Sequence, residues 1–285
     1  MKYLILGCNG MAGHMTSLYL KNQGNEVVGF ARKKSEIVDT IIGDAMDSTL
    51  LKEIIIDGKY DCVVNCIGIL NRYADEKNDI AVYLNAYLPH FLAKITTNTG
   101  TQIIHISTDC VFSGRRGGYN DDDFKDGESF YDRSKALGEI KNSKDFTIRT
   151  SIVGPELKTG GIGLLNWFMQ QNDSVRGYAN VKWSGLTTLQ LAKCIEIISI
   201  KKLSGLRNIT NNKSISKCEL LMLFNELIRK NKIEINPVNK PVLDKTLISN
   251  VDEFSIPSYR KMIVDMASMM DVYRHLYPHY QITSM

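Results

Sequence analysis

Short apolar runs alternate with segments of helical periodicity through the first half of the chain. "KYLILG" precedes a helical pattern over Met11–Asn22, and "EVVGF", with a further short strand after it, precedes one over residues 48–56. "DCVVNCIG" precedes residues 79–97, "TQIIHIS" precedes residues 131–141, and "FTIRTSIVG" closes the series. Strands alternating with helices of this length predict βαβ units and a parallel sheet. The strands are apolar at successive positions, as expected where helices cover both faces of a sheet. Asn22-Gln23-Gly24 supplies a glycine at the end of the first helix, and Asp47 or Ser48 an N-cap for the second. After Gly154 the rhythm changes to a glycine-rich loop, "KTGGIG", and the amphipathic stretch "LLNWFMQQ", whose "NWF" is read as packing a helix on the sheet. Helical patterns then cover residues 187–198, 216–230 and 259–275, with only short strands such as "LRNIT" between them. The expected fold is α/β: a Rossmann-type doubly wound parallel sheet over residues 1–154, and a smaller, mostly helical lobe over residues 155–285, interleaved with the end of the sheet.

Composition narrows the setting. A chain of 285 residues, 44% of them hydrophobic, buries a sizeable core. The net charge of +4 sets up no field for nucleic acid, so "RKK" at residues 32–34 reads as a solvated loop or a local phosphate contact. Cys8, Cys62, Cys66, Cys110, Cys194 and Cys218 form no CxxC, which suits a reducing cytoplasm. His275 and His279 stand four apart, but Pro278 breaks the helix that would align them, so no metal site is expected. The first residues, "MKYLILGCNG", do not read as a signal peptide, and no apolar run reaches the roughly 18 residues of a membrane helix. A cytoplasmic protein with no membrane partner is expected.

Directly after the first strand, "GCNGMAG" sets Gly7, Gly10 and Gly13 at the opening of the first helix. Glycines there allow a tight turn and close backbone approach, so that a pyrophosphate sits on the helix N-terminus. In this strand-turn-helix context the triplet predicts a dinucleotide site. A site that prefers NAD usually offers an acid at the end of the second strand, for the ribose 2′-hydroxyl. Here the chain reads "VVGFARKK", and Arg32 with Lys33 can neutralise a 2′-phosphate, which favours NADP over NAD. Asp44 follows the next short strand and either reaches the adenine or serves as a turn residue.

"SFYDRSKALGE" places Tyr131 and Lys135 four apart, on one helix face. A phenol titrates at about 10, and a neighbouring ammonium is expected to lower that toward the working pH, fitting Tyr131 for proton transfer. With the glycine loop, "VVNCIG", "YLNAYLPHFLAK", "ISTDCVFSG" and this YxxxK, the chain resembles the short-chain dehydrogenase/reductase superfamily in its extended form. More narrowly, it is similar over nearly its whole length to the dTDP-4-dehydrorhamnose reductase family of nucleotide-sugar 4-ketoreductases.

The resemblance implies catalytic roles for Thr108, Tyr131 and Lys135, with an NADPH cofactor and a nucleotide-sugar substrate. Asn9, Met11, Ala45, Cys66 and Gly68 complete the cofactor-lining set implied with the glycines. Asn85 matches a family asparagine beneath the site and either joins it or bridges backbone groups. Related 4,6-dehydratases carry Thr-Asp-Glu where this chain has Thr108-Asp109-Cys110, so dehydration is disfavoured. Asp109 either contacts the sugar or caps the turn, and Cys110 stands where the rhamnose-type reductases commonly carry tyrosine. "GYANVKWSGLTT" occupies the place of a pocket-lining segment, making Lys182, Trp183, Ser184 and Thr187 candidate substrate contacts, with Trp183 alternatively in the core. The acidic run at residues 121–123 reads as a solvated loop. A homodimer is compatible with the resemblance. Two other functions share these residues: a nucleotide-sugar epimerase with tightly bound NAD(P), and a noncatalytic dinucleotide-binding protein.

Overall fold

In the computed structural model, which describes residues 1–280, seven parallel strands form one sheet. They are β1 (Lys2–Leu6), β2 (Glu26–Ala31), β3 (Asp39–Ile42), β4 (Cys62–Asn65), β5 (Gln102–Ile106), β6 (Phe146–Arg149) and β7 (Gly205–Asn208). Their spatial order is β3-β2-β1-β4-β5-β6-β7, a doubly wound arrangement whose direction of winding reverses between β1 and β4. In such sheets ligands bind beyond the carboxyl ends of the strands at that reversal.

The unbroken apolar runs follow from burial on both faces. Tyr3 and Ile5 of β1 enter one core cluster, with Met15 and Leu18 of the helix α1 (Met11–Asn22) and with helices of the C-terminal part. Leu4 and Leu6 enter the other, with Leu51 and Ile55 of α2 (Ser48–Gly58) and Leu88 and Leu92 of α3 (Leu88–Ile95). A strand buried on one face alone would have alternated. Asp47 caps α2 through Leu50 N–H at 3.0 Å, the first of the two caps that the sequence offered.

Several boundaries differ from expectation. The helix expected over residues 79–97 is interrupted: Asn78–Ala81 gives way to a π-helical segment, Val82–Tyr87, before α3 begins. Pro89 has no N–H to donate to the Asn85 carbonyl four residues back, so the regular ladder cannot run through this point. Gly138 closes over that same carbonyl, and a Cβ there would lie 1.9 Å from the Asn85 oxygen. Gly138 also ends α4 (Phe130–Leu137), which is shorter than the expected residues 131–141. Residues 146–154 are two strands, because after β6 the chain leaves the sheet and Ile152–Val153 pairs with Leu186–Thr187.

Beyond residue 154 there is more β-structure than the expected, mostly helical lobe contains. Ser174–Tyr178 pairs with Glu234–Val238, and Val181–Trp183 pairs with both Ile215–Ser216 and Leu243–Asp244. These strands are short, and the first two are mostly exposed, so they carry no continuous apolar run. Helices α5 (Thr188–Lys201), α6 (Lys217–Leu227) and α7 (Tyr259–Val272) pack behind them. His14 ties the end of the chain to α1, with Nδ1 2.9 Å from the Gly10 carbonyl and Nε2 3.0 Å from the Tyr277 hydroxyl. Residues 281–285 lie outside the described part.

The acidic run at residues 121–123 is not a free solvated loop. Asp121 accepts the Asn208 N–H at 2.6 Å, Asp122 pairs with Lys141 at 2.7 Å, and Asp123 pairs with Arg116. Beneath it Arg149, fully buried, donates two 2.8 Å bonds to the Glu139 carboxylate and one to the Asp121 carbonyl. Charge and backbone partners at β6 and β7 therefore hold this loop to the sheet. No helix among the described residues is long and apolar enough to cross a membrane.

Candidate active site

The glycine loop leaves β1 through Gly7, whose φ of +79° falls in the left-handed region and whose N–H donates to the Phe30 carbonyl at 2.8 Å. Gly10 N–H returns to the Gly7 carbonyl at 2.9 Å. A Cβ at Gly13 would lie 2.2 Å from the Gly7 oxygen, so α1 seats directly on the turn's backbone. Gly10 is the N-cap of α1 and supplies no side-chain acceptor, which leaves the first-turn N–H groups for an anion. Met11 begins that helix, and its Sδ lies 3.1 Å from where a Cβ at Gly163 would be.

Asn9 does not project freely from the loop. Its amide donates to the Lys33 carbonyl at 2.8 Å, tying the glycine turn to the segment that carries Arg32 and Lys33, both exposed beyond β2. Asp44 accepts the Met46 N–H at 3.0 Å, the turn role of its two readings, and Ala45 is buried in the core beside α2. Cys66 follows β4, its thiol pushed up to about 12 by burial. A Cβ at Gly68 would lie 3.0 Å from Asn85 Oδ1 and 4.0 Å from Lys135 Nζ, so Gly68 faces the helix α4 that carries Lys135.

Helix α4 starts with a capping box in which Ser129 accepts the Asp132 N–H and Asp132 accepts the Ser129 N–H. That start puts Tyr131 in the first turn and Lys135 one turn on, both buried. Lys135 Nζ donates to the Ile106 carbonyl at 2.8 Å and lies 3.5 Å from His105 Nε2. Burial lowers the Lys135 pKa to about 8, against the opposing pull of Glu139 and Cys66. The expectation that Lys135 lowers the Tyr131 pKa is not met. Burial pushes the phenol up, Cys110 and Asp109 add to the rise, and only the Thr108 hydrogen bond acts against it. The ammonium points instead at the end of β5.

Thr108 caps the short turn Asp109–Val111, accepting the Cys110 N–H at 3.1 Å and donating to Asp109 Oδ1 at 3.1 Å. Thr108, rather than Asp109, is thus the cap. Thr108, Asp109, Cys110, Tyr131 and Lys135 converge at the carboxyl end of β5. Asn85 sits on the π-helical segment with its side chain committed: it accepts from Ile69 N at 2.9 Å and donates to Ile69 O and Ser134 Oγ, both at 3.0 Å. Of its two readings the bridging one describes this geometry, pinning the Gly68–Ile69 loop to α4.

The lobe candidates divide. Trp183 is buried in the core against Tyr259, Ser184 Oγ accepts the Leu247 N–H at 2.8 Å, and Thr187 caps α5 through Gln190 N–H at 3.2 Å. The Ser184 and Thr187 hydroxyls serve the fold, the buried Trp183 Nε1 meets no acceptor among the described residues, and Lys182 projects from the opposite face of its strand to Trp183. Lys217, which no motif or spacing marked, does reach the site from the start of α6. Its Nζ lies 5.5 Å from the Trp183 ring, with Asp109 and Cys110 facing it, and burial lowers its pKa. Lys245 likewise faces Cys110.

A family model described as RmlD substrate binding domain matches residues 1–243. The spore coat polysaccharide biosynthesis protein SpsK of Bacillus subtilis is 34% identical over 158 residues, 53% of this chain and 53% of that protein. The probable low-salt glycan biosynthesis reductase Agl14 of Haloferax volcanii is 30% identical over 139 residues, 47% of this chain and 46% of that protein. The chain spans about half the length of these curated relatives. A crystal structure of dTDP-4-dehydrorhamnose reductase from Bacillus anthracis in complex with NADP superposes with a TM-score of 0.80 at 20% identity, covering 94% of this chain and 100% of that one. That likeness establishes the doubly wound α/β fold.

Proposed function

The chain belongs to the RmlD substrate binding domain family, and from that premise we propose that it is an NADPH-dependent reductase of nucleotide-linked 4-keto-6-deoxyhexoses. The substrate is a dTDP- or UDP-linked sugar, with or without an N-acetyl group, and the product feeds surface polysaccharide or glycan synthesis. The observation that carries this is the convergence of Thr108, Tyr131 and Lys135 at the same end of the sheet as a glycine loop in which a Cβ at Gly13 would strike the Gly7 backbone. The names of the relatives, a glycan biosynthesis reductase and a spore coat polysaccharide protein, support the same pathway class.

The residues fit the cofactor. Gly7, Gly10 and Gly13 with the first turn of α1 would hold the pyrophosphate, Arg32 and Lys33 the 2′-phosphate, and Lys135 the nicotinamide ribose. Asn9 holds the loops that carry these groups in register, while Cys66 and Gly68 line the approach to Lys135. When bound, NADPH supplies the hydride that reduces the sugar carbonyl carbon.

Tyr131 gives its proton to the C4 oxygen as negative charge develops there. A phenol kept protonated by burial is in the right state to act as that acid. Thr108, whose hydroxyl otherwise donates to Asp109 Oδ1, turns that donor to the same oxygen when the sugar is in place, an interaction aimed at charge that exists only in the transition state. Lys135, with a pKa of about 8, exchanges a proton near neutral pH and would reprotonate the phenolate once its Nζ turns from the Ile106 carbonyl. The lobe beyond residue 154 closes the cleft from the other side, with Lys217 and Asp109 facing the sugar.

The test follows NADPH oxidation by absorbance while dTDP- and UDP-linked 4-keto-6-deoxyhexoses, including the N-acetylated UDP sugar, are offered in parallel. Stoichiometric loss of NADPH with one of them is expected. No loss with any, despite tight NADPH binding, moves the reading to an epimerase or a binding protein. In the same assay Arg32→Ala raises KM for NADPH by about tenfold or more and leaves that for NADH nearly unchanged. Equal losses with both cofactors would remove Arg32 from 2′-phosphate recognition.

A further inference from the structure

Beneath Lys135 lies a buried polar pair that takes no part in the proposed proton and hydride transfers. Asn65 and His105 are register partners across β4 and β5, and neither has any exposed surface. The Asn65 amide is oriented by the backbone, because its Oδ1 accepts the Ile67 N–H at 3.1 Å. Its Nδ2, a donor, therefore faces His105 Nδ1 at 3.2 Å. An imidazole held neutral by burial carries one proton and one lone pair. Only a bare Nδ1 can accept from the amide, so the proton sits on Nε2. That nitrogen lies 3.5 Å from Lys135 Nζ.

An ammonium has three donors and no acceptor, so an Nε2–H aimed at Lys135 opposes the charged form and is accepted by the neutral amine. We infer that His105, locked in its Nε2–H tautomer by Asn65, is a positioning residue that lowers the proton affinity of Lys135 and lets it exchange a proton near neutral pH. This rests on the reading of Tyr131 and Lys135 as the catalytic pair. The other groups facing Lys135 are Cys66, after β4, and Glu139, beyond α4, and Glu139 already pairs with Arg149 and Lys125. His105 is faced by Lys135 and, from α3, by His90. Cys66 keeps its thiol proton but is a weak donor, and of these groups it is His105 whose ring nitrogen stands at hydrogen-bonding distance from the Lys135 nitrogen.

Two spectra of the full chain, recorded without cofactor or sugar, test this independently of turnover. With histidine labelled with ¹⁵N, His105 is expected to show a protonated Nε2 and a bare Nδ1, its signals identified by their loss in His105→Phe. With lysine labelled at Cε and Nζ, the Lys135 midpoint in His105→Phe is expected about one pH unit above wild type. If the phenylalanine variant does not fold, Asn65→Asp serves instead. Its carboxylate draws the His105 proton to Nδ1, turns a bare Nε2 to Lys135, and likewise raises the midpoint. An Nδ1–H tautomer in the wild-type chain, or an unmoved midpoint in a folded variant, overturns the inference. Normal spectra with no activity on any sugar would instead count against the reductase reading alone.

Discussion

Tyr131→Phe is expected to lower kcat by about 10³-fold while NADPH binds nearly as in the wild type. The substitution removes one oxygen from a buried ring and leaves the ring's packing against Ala74 and Ala81 in place. The lost group is the one proton donor within hydrogen-bonding reach of Thr108 on this helix, so the alkoxide has no acid to meet it. No new cavity opens toward the glycine loop, which is why binding should survive. The measurement pairs kcat from NADPH oxidation with a fluorescence titration of NADPH. Turnover at the wild-type rate in a folded Tyr131→Phe chain contradicts the mechanism, and loss of NADPH binding would make Tyr131 a structural residue.

Gly13→Ala is expected to weaken NADPH binding by about 100-fold, or roughly 3 kcal/mol. The added Cβ would stand 2.2 Å from the Gly7 oxygen, 2.8 Å from its carbon and 3.0 Å from Cys8 Cα. All three are backbone atoms that no rotamer change can move, so α1 must back away from the turn and carry its N–H groups off the pyrophosphate position. Gly100→Ala is the control, because nothing lies within 4 Å of a Cβ there and its effect on binding should be nil. The same titration checks both variants. A Gly13→Ala chain that binds NADPH like the wild type would mean that the helix N-terminus does not hold the cofactor.

How far the sequence foretold this molecule depends on whether a feature is local. The alternation of apolar runs and helical patterns yields the parallel sheet because each run is buried on both faces by its own flanking helices, as Tyr3 and Ile5 against Leu4 and Leu6 show. Gly7, Gly13 and the Tyr131–Lys135 pair are legible because their spacing within one turn or one helix fixes their geometry. The small lobe strands escape notice because half-exposed pairs such as Ser174–Tyr178 with Glu234–Val238 carry no continuous apolar run. Lys217 escapes because its place over Trp183 depends on strand pairing across more than thirty residues. The direction of the Tyr131 shift is hidden for the same reason. Helical spacing says that Lys135 is near, but only the fold says that the ammonium turns to the Ile106 carbonyl and that the phenol is buried. The pocket candidates Ser184 and Thr187 show the converse, since hydroxyls that look available in a loop sequence are taken up by the Leu247 and Gln190 backbone.

In the proposed reaction a hydride reaches C4 of a nucleotide-linked keto sugar while Tyr131 supplies the proton. That transfer is followed with NADPH carrying deuterium in place of the transferred hydrogen, the accepted 4-keto-6-deoxyhexose, and product analysis by NMR and mass spectrometry. One deuterium at C4 of the product per NADPH oxidised is expected, and none elsewhere in the sugar. Product without deuterium at C4, or a sugar inverted at one carbon with no NADPH consumed, would contradict it.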